Sequence, residues 1–200
     1  MTNTTSTATE LVSLSRPEVA YGAAHAFVGR VQALGRGELA ALKRNAGNTM
    51  VEARGVPWFA RLMRTEDEWA NSEICFLVAT LVGLNKHGFT GSLGRSAKRL
   101  AGVRSAESVD RRFRILLDSD FSRDGGQLSY RLRQMVKLLA SSDIGVDWAQ
   151  LLVDLRQWNW SGKPVQQRWA KHFYSTNPSA PGEADDLASP AEAPNSERRS

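Results

Sequence analysis

Residues 65–84 read TEDEWANSEICFLVATLVGL, and the fold class turns on them. Thr65 followed three positions later by Glu68 is a capping box. The threonine hydroxyl and the glutamate carboxylate each accept a backbone N–H that the first helical turn leaves unpaired. The pattern predicts a long helix that starts after Thr65, carries Trp69, Phe76, Leu77, Val78, Leu81 and Leu84, and stops at Gly88. Trp69 is expected to face the core.

The same punctuation recurs to either side. Ser15 and Glu18 form another capping box, with Pro17 in the first turn, and open a helix running to about Leu34 before Gly35. A shorter helix spans Glu38 to Ala46 and ends at Gly47, and Pro57 opens PWFARLM. Downstream, Ser92 begins SLGRSAKRLA, and Ser105 caps a helix with Val109, Phe113 and Leu116 on one face. A further helix runs from about Gly126 to Ser141; Asp147 caps WAQLLVDLRQW and Pro164 starts PVQQRWAKHFY. The reading is all-α, with about eight or nine helices in two small helical bundles. Residues 15–90 form an N-terminal lobe, and residues 91–174 a bridging helix and a C-terminal lobe. Residues 1–14 and the Pro-rich acidic tail, 175–200, have little apolar surface to bury and are expected to be disordered.

Composition narrows the function. No run approaches the roughly 20 apolar residues of a membrane span. The polar N-terminus lacks the basic start and apolar core of a secretory signal, so a cytoplasmic protein with no membrane partner is expected. Cys75 is the single cysteine and lies in an apolar run, where a buried, inert thiol is expected. The formal charge is +5, yet the tail from 175 onward carries −3, leaving +8 on the first 174 residues. Such an excess points toward a polyanionic partner.

The placement of charge sharpens this. From Ile74 to Ala106 there is no acidic residue, while Lys86, Arg95, Lys98, Arg99 and Arg104 all fall there. On a helical wheel Arg95, Lys98 and Arg99 lie opposite Leu93, Ala97 and Leu100. A solvated face normally mixes signs, because acid–base pairs one turn apart contribute ~0.2–0.5 kcal/mol each. This face forgoes that gain, which favours a surface facing phosphates. Arg111 and Arg112 on the next helix, and Arg133 with Lys137 on the one after, lie away from their apolar stripes. Lys43, Arg44 and Arg64 add basic groups to the N-terminal lobe. Arginine suits phosphate because its planar fork donates two parallel hydrogen bonds. Glu107, Asp110 and Asp154 are placed to neutralise some of these cations. Among the tryptophans only Trp158 or Trp160, in the turn QWNWSG, reads as a surface contact; Trp148 and Trp169 read as core.

Chemistry is missing. His25, His87 and His172 are far apart without metal-ligand spacing, and His25 reads as packed in the core or at its boundary. DSDFSRDG fails as a calcium loop, with Arg123 at the glycine position and Ser129 at the glutamate position. There is no Walker A loop, nucleophile elbow or dinucleotide fingerprint. No catalytic residue, metal or cofactor is expected, and the chain is not read as an enzyme.

Three segments carry a family resemblance. GRGELAALKRNAG (35–47), GSLGRSAKRLAG (91–102) followed by DRRFRILLDSD (110–120), and LRQMVKLLASSDIGVDWAQLLVDLRQW (132–158) resemble, in order and spacing, the motifs of the CasB family. CasB is the small subunit of the type I-E CRISPR surveillance complex, Cascade. The resemblance implies two helical bundles and two copies placed head to tail. The partners it implies are the large subunit and the backbone subunits that carry the crRNA. It also implies contacts to the target and non-target DNA strands that stabilise the R-loop. Lys43, Arg44, Arg95, Arg111, Arg112 and Lys137 match the family's basic motif positions. Arg64, Lys98, Arg99 and Arg133 come from the helical wheels alone. Two alternatives are a helix-turn-helix DNA-binding regulator, for which no recognition helix with base-reading residues is evident, and a helical adaptor that binds only protein.

Overall fold

A computed structural model describes residues 16–122 and 126–175. The chain is all-α, as its punctuation predicts. Among the described residues there are nine α-helices and one 3-10 turn, and no strand beyond a single bridge between Gly88 and Val146. The helices are α1 (Arg16–Gln32), α2 (Arg36–Arg44), α3 (Glu66–Ala70), α4 (Ser72–Val82) and α5 (Leu93–Val103). They are followed by α6 (Ala106–Leu117), α7 (Gln127–Ala140), α8 (Trp148–Arg156) and α9 (Pro164–Tyr174). The 3-10 turn, Pro57–Leu62, lies between α2 and α3. Residues 1–15, Arg123 and all of the expected disordered tail after Ser175 lie outside the described residues.

The expected long helix from Thr65 to Gly88 is two helices. The capping box forms: Thr65 Oγ1 accepts the Glu68 N–H at 3.1 Å. One turn later Asn71 breaks the ladder, its side-chain amide donating to the Asp67 carbonyl at 2.9 Å. Local side-chain bonds of this kind compete with the helix. Trp69 is therefore left on the short α3, 51% exposed, where a core position was expected. From Ile74 to Val82 every residue of α4 is buried, as befits a helix that is apolar all round. It is the central post: α1, α2, α7 and α8 all pack on it.

α5 is held from both sides. It crosses α9 at Gly94, where an added Cβ would fall 2.3 Å from the Trp169 carbonyl oxygen, so no larger residue permits this approach. α6 and α7 pack on its other flank, and Phe113 of α6 stacks on Phe173 of α9 with ring centres 4.5 Å apart. The connection 83–92 is pinned to the loop before α8. Asn85 donates to the Ile144 carbonyl at 2.9 Å, and Val146 N–H donates to the His87 carbonyl at 3.1 Å.

Candidate nucleic-acid interface

Two buried carboxylates fix the helices that carry the basic side chains. Asp147 caps α8 by accepting the Gln150 N–H at 2.9 Å, and it also accepts the Tyr21 hydroxyl at 3.2 Å and the Gly91 N–H at 3.0 Å. One side chain thus ties α1, the entry to α5 and α8 together. Burial, reinforced by the Asp147 charge, pushes the Tyr21 phenol above its ordinary pKa. Asp154 is fully buried and accepts from Arg168 at 2.6 Å, Gln150 at 2.7 Å and the Trp169 indole at 2.5 Å. Burial raises its pKa against the pull of these donors. The sequence reading had Asp154 neutralising a nearby cation; its partner proves to lie fourteen residues away, on α9.

In the N-terminal half Glu68 is buried against Arg30. Burial alone would raise its carboxyl, but the Arg64 N–H at 2.6 Å, the Arg30 guanidinium and the Thr65 N–H outweigh it and lower the pKa. Cys75 is buried, and desolvation pushes its thiol up to about 11. A thiol so protonated is a poor nucleophile.

The basic residues divide by what they touch. Lys43 and Arg44, at the C-terminal end of α2, are exposed. Gly47, just beyond them, lies against the Arg133 side chain of α7, so these two elements share one shoulder of the molecule. Lys137 follows one turn along α7 and is exposed. None of these four makes an ion pair with another described residue. On α5, Arg95 is half-buried and Arg99 exposed, the latter with its guanidinium 5.0 Å from the Phe89 ring centre. Lys98 turns to the carbonyl of Ser175 at the end of α9 and is partly occupied by that bond. On α6, Arg111 and Arg112 are exposed, and Arg112 donates to the Ser108 hydroxyl at 2.6 Å. Arg64 is exposed in the turn before α3.

Other cations are neutralised. Arg61 pairs with Glu38, Arg156 with Asp67 at 2.6 Å, and Arg114 with Asp110 at 2.5 Å. Asp110 also accepts the Tyr174 hydroxyl at 2.6 Å, and burial followed by this bond pushes the Tyr174 phenol up to about 12.

Of the two tryptophans in the turn QWNWSG, Trp160 is the one at the surface. Trp158 is core: it is 2% exposed, packs on Trp169 with ring centres 5.0 Å apart, and donates its indole N–H to the Ser119 carbonyl at 2.8 Å. Trp160 is 57% exposed. His25 is exposed on α1, beside Tyr21, and not packed in the core. The sequence reading missed Tyr130 and Arg131 at the start of α7. Tyr130 lies opposite the apolar stripe of α7 and Arg131 on its flank, and only the packing of α6 on α7 shows them lining a groove.

This is an all-helical protein with positive charge displayed on several helices. Among the described residues no group of three or more His, Cys, Asp or Glu is placed to hold a metal ion, and no helix is long and apolar enough to cross a membrane. The chain belongs to the Cse2 family of CRISPR-associated proteins, whose family model matches residues 38–174. It is 35% identical over 130 residues to the CRISPR-associated protein Cse2 of Thermus thermophilus, covering 63% of this chain and 71% of that one. The crystal structure of M. ruber CasB shares 34% identity with a TM-score of 0.62, covering 76% of this chain and 92% of that one. A chain of a CRISPR RNA-guided surveillance complex has the same fold, with a TM-score of 0.63 at 21% identity over 77% of this chain and 92% of that one. The resemblance to CasB read from the sequence holds.

Proposed function

We propose that the chain is the non-catalytic small subunit of a type I-E CRISPR RNA-guided surveillance complex, Cascade. There it binds the phosphate backbone of nucleic acid without reading sequence and stabilises the R-loop in antiviral defence, in the cytoplasm. The observation that carries this reading is the shoulder formed by Lys43, Arg44, Arg133 and Lys137, four cations with no carboxylate partner among the described residues. Membership of the Cse2 family supports the assembly, and the surveillance-complex chain of the same fold supports the kind of partner.

In this role the guide RNA reads the target by base pairing, while the subunit supplies charge to the strands. Alone, such a surface binds at about 10⁻⁴–10⁻⁶ M at physiological salt. Held in a complex, the same weak contacts act at high effective concentration, so they suffice. The end of α2 and the exposed side of α7 bring basic groups from both halves of the sequence to this one shoulder, and a second copy extends the row.

The test is purification of the tagged full chain from cells that carry the remaining type I-E subunits and a CRISPR array. Recovery of crRNA with the large and backbone subunits, in amounts matching the tagged chain, is the expected result. Recovery of the chain free of crRNA and of these subunits contradicts the proposal.

A further inference from the structure

The groove between α6 and α7 carries a second kind of chemistry. It encloses about 290 Å³. It is lined by the apolar Ile115, Met135 and Leu138, by Arg112 and Arg131, and by Tyr130 and Gln134. Tyr130 is 51% exposed and Ile115 41%. The Arg131 guanidinium lies 5.4 Å from the Tyr130 ring centre, so it covers part of the ring and leaves the rest open.

The two arginines make only neutral contacts. Arg112 donates to Ser108, and Arg131 donates to the side-chain oxygen of Gln127 at 3.3 Å. The Arg131 Nε is buried with no hydrogen-bond partner among the described residues. No carboxylate lines the groove. Two uncompensated guanidinium groups therefore flank an apolar slot beside a half-exposed aromatic ring.

We infer that this groove takes an unpaired nucleotide of a single strand, its base stacked on Tyr130 and its flanking phosphates on Arg112 and Arg131. The inference rests on the nucleic-acid reading above and adds a preference for single strands. Phosphate contacts alone do not distinguish a duplex from a single strand. An aromatic ring does, because the faces of paired bases are covered by their neighbours and only an unpaired base has a face to offer. A volume of about 290 Å³ is of the size of a single nucleotide and far below that of a duplex. Stacking of this kind tolerates any base, so it adds affinity without sequence reading.

The experiment uses the full chain and its Tyr130→Ala and Tyr130→Phe variants, each checked for an unchanged melting temperature. Binding is measured to a fluorescent oligothymidylate and to a duplex of equal length. Tyr130→Ala should weaken single-strand binding roughly 5- to 150-fold, leave duplex binding unchanged, and be rescued by Tyr130→Phe. A second measurement needs no variant: ultraviolet cross-linking of the wild-type chain to a bromodeoxyuridine oligonucleotide, mapped by mass spectrometry, should fall on the segment holding Tyr130. Equal loss on single strand and duplex, no loss on either, or a cross-link elsewhere overturns the groove while leaving the basic-surface reading intact. Binding of a polyglutamate peptide with the same dependence on Tyr130 overturns it in favour of an acidic protein partner. A wild-type chain that binds neither nucleic acid overturns both readings.

Discussion

Asp154 shows how one side chain can hold an interface that no short motif announces. Its carboxylate is fully buried and satisfies Arg168, Gln150 and the Trp169 indole at once. Removing one partner of a buried pair costs about 3–5 kcal/mol, because the remaining charge and donors stay desolvated. Asp154→Ala should therefore lower the urea midpoint by an amount equivalent to about 3 kcal/mol with an unchanged slope. Asp154→Asn, which keeps the shape and some of the hydrogen bonds, should lose less. A midpoint shift no larger for Ala than for Asn would contradict this assignment. The sequence shows Asp154 only as a carboxylate near Arg156. Its true partner is set by the packing of α8 and α9, and residue spacing cannot report that. Packing likewise decides between Trp158 and Trp160, leaving Trp160 at the surface and Trp158 in the core. Their turn suggested a surface contact for one of the two, and the Ser119 carbonyl gives the Trp158 indole a buried acceptor.

At the scale of elements the sequence was most legible where a cap writes the helix start. Thr65, Ser105 and Asp147 all accept the N–H three residues on, as their positions predict. It was least legible where one side chain breaks a continuous pattern, as Asn71 does between α3 and α4. The wheel of α5 was read correctly in outline. Leu93, Ala97 and Leu100 are buried, and Arg95 and Arg99 lie outside that core, while Lys98 is drawn to the end of α9. Arg95→Ala with Arg99→Ala should barely change stability, because residues outside the core usually shift it by under ~0.5 kcal/mol. If this face meets phosphates, the double variant should bind DNA more weakly, with a salt slope shallower by about one unit per lost contact. Wild-type affinity with an unchanged slope would refute the assignment of α5. Unfolding would show that the Arg99–Phe89 contact and the packing of Arg95 are structural.

The whole molecule separates two tasks. Buried carboxylates, close glycine contacts and the α4 post hold the helices in place, while the cations they carry are displayed outward with few acids between them. Charge excess was visible in the composition; which cations remain unpaired was not. Arg61, Arg114, Arg156 and Arg168 are taken by carboxylates, and three of these four pairings join residues more than ten positions apart. What remains among the described residues is a set of cations without carboxylate partners, which we assign to phosphates. The most direct test is the affinity of the full chain for random-sequence DNA across a range of salt concentrations. Counterion release predicts that log K falls linearly with log salt, by about 0.7–0.9 units per phosphate contacted, with similar affinity for unrelated sequences. Affinity that does not change with salt, or one sequence preferred by about three orders of magnitude as a specific regulator would show, would contradict the account.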